Sequence, residues 1–216
     1  MILVTAGPTI EPLDPVRYLS NRSSGAMGYY IAGECASKGY KVCLISGPSN
    51  LTPPDGVEII KAETAGDMER AVMERIDEAD AIVMAAAVCD FRPEEEQGHK
   101  IKKERDGLVL KLVRNPDILA EIGLRKGLVK VGFALESRNA VENAANKLEN
   151  KGLDFIVVNT VGEGMDPFGD DGKISGTERF LRYDILDKNG GLRQFEGITK
   201  RQMAGLIAEE LDKWVK

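Results

Sequence analysis

The sequence predicts an α/β fold: a Rossmann-like, mostly parallel sheet with helices on both faces, plus a C-terminal antiparallel hairpin. Apolar runs with strand character recur along the chain and are continuous rather than alternating, which is typical of strands buried on both faces. Stretches with helical spacing lie between most of these runs, so βαβ units are expected. Near the C-terminus, two strand-like runs flank a turn signal, which indicates a hairpin.

Six apolar runs are the predicted strands of the parallel part, over 2–5, 41–46, 57–61, 81–88, 129–135 and 154–159. Capping-box spacing marks two helix starts, at Thr64 with Asp67 and at Thr199 with Gln202, and the second opens a final helix over 200–215. Pro116 suits the first turn of a short helix over 116–124. The predicted hairpin strands, 179–186 and 192–195, flank Asp187-Lys188-Asn189-Gly190-Gly191.

Length and composition indicate one soluble domain. The chain has 216 residues, 43% of them hydrophobic, with no composition break, so we expect a single domain over 1–216. No run approaches the ~18 apolar residues of a membrane span, and no signal segment precedes the first strand, so we expect a cytoplasmic protein without a membrane partner. The net charge of −6 disfavours a nucleic-acid surface. Cys35, Cys43 and Cys89 have neither disulfide nor zinc spacing and are interpreted as small buried residues.

The segment after the first strand contains a candidate phosphate cradle. Prolines at positions 8, 12 and 15 predict a long irregular loop, so the first helix starts late, within 20–28. There, hydroxyl groups and glycines leave backbone N–H groups open to an anion at the positive end of the helix dipole. Alternatively, a serine only caps the helix and Gly28 only packs on the sheet. The cradle residues are Gly7, Ser23, Ser24, Gly25 and Gly28.

A second candidate feature is the end of the 81–88 strand, where the apolar run meets Asp90 and is followed by Lys100, Lys102 and Lys103. Ligands of open α/β sheets bind beyond the carboxyl ends of the strands, so Asp90 lies where chemistry is expected. The lysines suit a polyphosphate and belong to a flap at about 91–113. A solvated flap edge is the alternative for these lysines, but the nearby Asp90 and cradle favour a site.

Taken together, these segments resemble the phosphopantothenoylcysteine synthetase family over essentially the whole chain. Two departures are Ala26, where some relatives carry a lysine, and Cys89, where alanine is common. The resemblance rests on Thr5-Ala6-Gly7-Pro8-Thr9, Ser20-Asn21-Arg22-Ser23-Ser24-Gly25 with Met27-Gly28, Ala86-Ala87-Val88 with Asp90 and Arg92-Pro93, Lys100-Ile101-Lys102-Lys103, Asn115-Pro116-Asp117-Ile118-Leu119 and Val131-Gly132-Phe133-Ala134.

The resemblance implies an enzyme that joins 4'-phosphopantothenate to L-cysteine at the expense of CTP, through an acyl-cytidylate, with Mg²⁺ as the expected cofactor. It also implies a homodimer, and in many bacteria the synthetase is fused to a flavin-dependent decarboxylase. By the same resemblance Asn21 handles the acyl intermediate and Lys100 is the key lysine. Asp90 holds either the cation or a ribose hydroxyl. The implied nucleotide-binding positions are Asp90, Lys100, Pro116, Asp117, Ile118, Leu119, Phe133, Lys147 and Lys151.

Two other functions compete with the ligase. An NAD(P)-dependent oxidoreductase shares the fold class, but Gly7 is not followed by G-x-G-x-x-G, and no acidic ribose ligand follows Ser46-Gly47-Pro48. A non-catalytic nucleotide-binding module would keep the cradle and the lysines but would give Asn21 no chemical role. Without the resemblance, Lys147 and Lys151 are ordinary surface lysines and Phe133 is a core residue.

Overall fold

The structure, a computed structural model, describes residues 1–102, 107–136, 139–160 and 181–215. The strands of the described residues are β1 (Ile2–Ala6), β2 (Ile10–Asp14), β3 (Arg17–Ser20), β4 (Val42–Ser46), β5 (Glu58–Lys61), β6 (Ala81–Met84), β7 (Phe91–Pro93), β8 (Leu112–Arg114), β9 (Val129–Glu136), β10 (Phe155–Thr160), β11 (Leu181–Asp187) and β12 (Leu192–Ile198). The helices are α1 (Ala26–Ser37), α2 (Ala65–Arg75), α3 (Ile118–Gly123), α4 (Ala140–Asn150) and α5 (Lys200–Trp214).

The main sheet has eight strands in the order β12-β11-β10-β9-β6-β1-β4-β5. The six strands from β10 to β5 are mutually parallel. Strands β11 and β12 form an antiparallel hairpin on the β10 edge. This topology confirms the predicted fold class, and the hairpin turn lies within the predicted 187–191. Residues 179 and 180 of the predicted first hairpin strand lie outside the described ranges.

Both faces of the sheet are covered, which explains the continuous apolar runs. In β1, Ile2 and Val4 face α1 and α5, where they pack in one cluster with Ile31 and Ile207. The intervening Leu3 packs in a second cluster on the opposite face. Each fully buried aliphatic side chain of this kind stabilises the fold by roughly 1.5–3 kcal/mol relative to an exposed one.

Both predicted capping boxes are present. The Thr64 hydroxyl accepts the Asp67 N–H while the Asp67 carboxylate accepts the Thr64 N–H, and Thr199 and Gln202 repeat this exchange at α5. The placement of Pro116 in the first turn of a helix was wrong. Asp117 is the N-cap of α3, because its Oδ1 accepts the Ala120 N–H at 2.9 Å, so Pro116 lies before the helix.

The irregular loop predicted after β1 is in fact an antiparallel hairpin, β2 with β3. Asp14 closes its turn, since Asp14 Oδ1 accepts the N–H groups of Val16 and Arg17, both at 2.9 Å. Pro12 is tolerated because β2 belongs to a two-stranded ribbon, and edge strands accept proline. Proline content alone therefore gave the wrong prediction.

Strand β6 ends at Met84, earlier than the predicted 88. Beyond it, the 85–90 segment makes a single bridge, between Pro8 and Ala87, and the Ala86 N–H donates to Thr5 Oγ1 of β1 at 3.2 Å. At the base of the predicted flap, β7 and β8 pair antiparallel. Lys103 lies outside the described residues. Across the described part of the chain, the helices are all too short or too polar to cross a bilayer.

Candidate active site

A cleft of about 530 Å³ opens beyond the carboxyl ends of β6 and β9. The 85–90 segment, the start of α3 and one face of α4 form its walls. The structure brings the predicted nucleotide-binding residues together here, with the exception of Lys100. The described residues that line the cleft are Met84, Ala86, Val88, Cys89, Asp90, Phe91, Arg114, Asn115, Pro116, Asp117, Ile118, Leu119, Phe133, Lys147 and Lys151.

Two lysines, Lys147 in α4 and Lys151 at the C-cap of this helix, supply positive charge to this cleft. Lys147 Nζ donates to the Phe133 carbonyl oxygen at 2.8 Å, and burial lowers the Lys147 pKa from its ordinary value. Lys151, one turn later, forms an ion pair with Asp117. Burial opposes the shift, but the hydrogen bond from Lys151 and that from the Ala120 N–H hold the Asp117 pKa below its usual range. Asp117 therefore stays ionised and fixes Lys151 at the cleft wall.

The position of Asp90 is set by Asn115. The Asn115 N–H donates to the Asp90 carbonyl oxygen at 2.9 Å, and its Nδ2 donates to the Cys89 carbonyl oxygen at 2.8 Å. Arg92 Nη1 completes the network by donating to Asn115 Oδ1 at 3.0 Å. The Asp90 side chain is exposed at the cleft. The sequence gave Arg92 no role beyond its place in a family motif, because its role depends on the pairing of β7 with β8.

Asn21 is attached to the same segment. Its Nδ2 donates to the Ala87 carbonyl oxygen at 2.9 Å and contacts Cys89 Sγ at 3.8 Å. Cys35 and Cys43 are buried as expected, but Cys89 is only partly buried and lines the cleft, so its interpretation as a buried core residue was wrong. Burial raises the Cys89 pKa, which keeps the sulfur a neutral thiol.

A second cavity of about 200 Å³ lies at the N-terminus of α1 and shares Ala86 and Phe133 with the first cleft. Ser23, Ser24 and Gly25 line it. The serine hydroxyls accept backbone N–H groups, Ser23 that of Gly25 at 3.2 Å and Ser24 that of Ala26 at 3.4 Å. Asn159, Tyr183 and Lys200 also line this cavity and were not predicted, because only the sheet register brings them there.

Two of the three cradle glycines, Gly25 and Gly28, have structural explanations. Gly25, the N-cap of α1, has φ 83°, and a Cβ added there would lie 2.9 Å from the Gly7 backbone nitrogen. A Cβ on Gly28 would lie 2.5 Å from the Ala6 Cβ. The close contact of Gly28 with β1 agrees with the packing alternative. A phosphate role for Gly7 and Gly28 stays a prediction.

Lys100 and Lys102 are exposed on the flap and are not among the described residues that line either cavity. The flap is nevertheless anchored beside them. The Ile101 N–H donates to Asp14 Oδ2 at 3.1 Å, and Arg17 Nη2 donates to the Ile101 carbonyl oxygen at 2.8 Å. The structure therefore ties the base of the lysine cluster to the β2–β3 hairpin.

One expected component is Mg²⁺. Among the described residues, no three His, Cys, Asp or Glu side chains gather into a metal-binding cluster. Asp90 fits a magnesium ion of the kind held by one carboxylate together with substrate phosphates, because Asp90 is exposed at the cleft whereas Asp117 is paired with Lys151. A metal role for Asp90 stays a prediction.

The fold and the site define a Rossmann-like α/β domain with a lysine-lined cleft at the usual ligand position of open α/β sheets. The chain belongs to the DNA/pantothenate metabolism flavoprotein C-terminal domain family, whose model matches residues 1–215. This match confirms the family expected from the motifs.

Individual relatives agree with this assignment. The chain is 39% identical to the coenzyme A biosynthesis bifunctional protein CoaBC of Bacillus subtilis strain 168, over 97% of this chain and 50% of that protein. It is 38% identical to a cysteine/cysteine sulfinic acid decarboxylase from an unknown prokaryotic organism, over 97% of this chain and 57% of that protein. The chain thus spans about half the length of these relatives.

A solved structure covers nearly the same length as this chain. The crystal structure of the C-terminal domain of a coenzyme A biosynthesis bifunctional protein CoaBC has a TM-score of 0.80 and 34% identity, covering 98% of this chain and 93% of that one. The chain therefore corresponds to the C-terminal half of such a bifunctional protein.

Proposed function

We propose that this domain ligates 4'-phosphopantothenate to L-cysteine in coenzyme A biosynthesis, using CTP and passing through an acyl-cytidylate. The observation that carries the proposal is the pair of adjoining cavities, which share Ala86 and Phe133 as a common wall. The larger contains the lysines suited to a nucleotide, and the smaller lies at a helix N-terminus suited to an anion. Two substrates that must react with each other need such neighbouring sites.

In the first step, a carboxylate oxygen of 4'-phosphopantothenate attacks the α-phosphorus of CTP, and the bond from that phosphorus to pyrophosphate breaks. Both reactants are anions, so the site must offset their repulsion. Lys147 and Lys151 supply positive charge from α4, and Lys100 supplies it from the flap. When bound, Mg²⁺ would neutralise polyphosphate charge, with Asp90 as its protein ligand.

In the second step, the cysteine amine attacks the acyl carbon, the bond from that carbon to the CMP oxygen breaks, and the amine loses a proton. Negative charge develops on the acyl oxygen, where an amide donor stabilises it. The Asn21 amide has two N–H groups. One is held by the Ala87 carbonyl. Among the described residues, the other hydrogen bond of Nδ2 is to the weakly accepting Cys89 sulfur, from which an N–H is easily redirected.

The connection between β1 and α1 disfavours the oxidoreductase alternative. In a dinucleotide-binding domain, a glycine-rich turn leads directly from the first strand into a helix. Here the β2–β3 hairpin separates β1 from α1. We further propose, from the family resemblance, that the domain acts as a homodimer. We also propose that it acts beside a flavin-dependent decarboxylase, since its relative from Bacillus subtilis is bifunctional.

The test is pyrophosphate release from 4'-phosphopantothenate and Mg²⁺, with CTP or ATP, with or without cysteine, and with mass detection of the product. CTP-dependent release that yields phosphopantothenoylcysteine would support the ligase. A folded protein that is inactive with both nucleotides would contradict it. Hydride transfer to NAD(P) or nucleotide binding without turnover would then identify the competing function.

Two variants assign the steps. Asn21→Asp should retain pyrophosphate release but lose product, because a carboxylate cannot donate to the acyl oxyanion. Lys100→Gln should lose both, because the first step needs its charge. Losses of about a hundredfold or more are expected for such a donor. Product formation at the wild-type rate in either variant would refute the role of that residue, and the exposed Lys126→Gln is the control for Lys100.

A further inference from the structure

The fully buried Thr9 lies between Asn21 and the segment that carries Asp90. Its Oγ1 accepts the Cys89 N–H at 2.9 Å, and its own N–H donates to the Ala87 carbonyl oxygen at 3.2 Å. Its carbonyl oxygen accepts the Ser20 hydroxyl at 2.8 Å. Thr9 thus holds both the residue before Asn21 and the residue before Asp90.

The 85–90 segment needs such side-chain support because it continues beyond the ladder of β6. At Ala87 the segment is held by the bridge with Pro8. At Cys89 both backbone polar groups are held by side chains. Thr9 Oγ1 takes the Cys89 N–H, and Asn115 Nδ2 donates to the Cys89 carbonyl oxygen at 2.8 Å. Loss of the Thr9 hydroxyl would leave the Cys89 N–H without this partner and free the peptide to shift.

A shift there would move both parts of the site. The Ala87 carbonyl oxygen accepts from Thr9 and from the Asn21 amide, so these two residues share one anchor. The Cys89 thiol also donates to the Thr9 carbonyl oxygen at 3.5 Å while it contacts Asn21. Thr9 is not among the described residues lining either cavity, so it acts through these neighbours.

We propose that Thr9 is a positioning residue that fixes the Asn21 amide relative to Asp90. Thr9 thereby aligns the acyl group of the acyl-cytidylate in the cleft with the Asn21 amide that stabilises its oxyanion. This inference rests on the proposed ligase function. Misplacement of reacting groups by about 1 Å costs about a hundredfold in rate. The expected effect is therefore on turnover and on coupling of the two steps, more than on nucleotide binding.

The experiment compares Thr9→Val, which keeps the shape and removes the hydroxyl, with Thr9→Ser, which keeps the hydroxyl. Thr9→Val should lower kcat for phosphopantothenoylcysteine by about tenfold to a hundredfold with little change in the KM for CTP. It should also release more pyrophosphate than product, and Thr9→Ser should restore both. Thr64→Val is the matched control, because it removes a hydroxyl that accepts a backbone N–H at α2.

Hydrogen exchange provides a measurement that does not depend on activity. The Cys89 amide should exchange faster in Thr9→Val than in wild type or Thr64→Val. If wild type makes no product, the proposed function fails while the exchange result still decides whether Thr9 holds the segment. A folded Thr9→Val with wild-type kcat and product ratio, or an equal kcat loss in Thr64→Val, would overturn the positioning role. If Thr9→Val does not fold, Thr9→Ala carries the same comparison.

Discussion

Lys147 is a cleft residue whose charge depends on its surroundings. Burial lowers its pKa, Lys151 adds to this effect, and Glu136 opposes it. In the unfolded chain the same lysine has an ordinary pKa near 10.4. Between the lowered and the ordinary pKa, the folded protein binds fewer protons than the unfolded chain, so this residue makes stability rise with pH there. Over the same window the cleft loses a positive charge.

We therefore expect CTP affinity to weaken at a lower pH than the titration of an ordinary lysine would give. Lys147→Arg should remove this early decline, because arginine stays charged across the range. Lys151→Arg should leave the decline in place, because the lowered pKa belongs to Lys147. Calorimetric dissociation constants between about pH 7 and about pH 10 provide the measurement. The same pH dependence in wild type and Lys147→Arg would exclude Lys147 as the titrating group.

How far the site could be predicted from sequence depends on the kind of residue. Asp90 was found by physical argument alone, because it follows an apolar run that ends at the ligand-binding edge. Phe133 and Lys147 were predicted only through the resemblance. From residue type and position alone, Phe133 fits a core residue and Lys147 an ordinary surface lysine. Thr9 and Arg92 were not predicted as site-supporting residues, because hydrogen bonds between distant segments leave no periodic signal in the sequence.

At the scale of elements, local signals succeeded where one residue and its near neighbours decide the structure. The capping boxes of α2 and α5 are of this kind, because both partners lie three residues apart. The β2–β3 hairpin was missed because the prolines of this segment predicted an irregular loop, whereas the turn is closed by the side chain of Asp14. Burial would make the Asp14 carboxyl less acidic. The Arg17 guanidinium and the N–H groups of Ile101, Val16 and Arg17 outweigh burial and hold the Asp14 pKa well below its usual range.

The contact between α1 and β1 gives a test with a matched pair of glycines. Gly28→Ala should lower the free energy of unfolding by about 1–3 kcal/mol, because its Cβ would lie 2.5 Å from the Ala6 Cβ. Gly33→Ala, in the same helix, places its Cβ 3.5 Å from Pro54 and should instead stabilise by up to about 1 kcal/mol. Urea unfolding measures both. Equal effects of the two substitutions would show that helix propensity, rather than the close approach to β1, determines the change in the free energy of unfolding at Gly28.

At the scale of the whole molecule, the strand order positions the site. From β1 the chain builds outward to β4 and β5 on one side and to β6, β9 and β10 on the other. The crevice between β1 and β6 is therefore a topological switch point, where open α/β sheets bind ligands. The bridge of Pro8 with Ala87 lies there, beside Asn21, and Ala87 lines the second cavity. The predicted fold class thus indicated that the site lies at the carboxyl ends of the parallel strands. The side chains that line the site had to be identified separately, from motifs and from the structure.

Because the proposed nucleotide site is formed by β6, β9, α3 and α4 together, we expect the unfolded chain to have no equivalent site. CTP with Mg²⁺ at 100 times its dissociation constant should stabilise the fold by about 2.7 kcal/mol, which for a domain of this size raises Tm by roughly 5–10 °C. Lys147→Met should abolish most of this shift, whereas Lys126→Met, on the exposed loop before β9, should keep it. Thermal unfolding with and without CTP measures the shift for each protein. An equal shift in wild type and Lys147→Met would mean that the nucleotide binds elsewhere, because a ligand stabilises only through the site it occupies in the folded state.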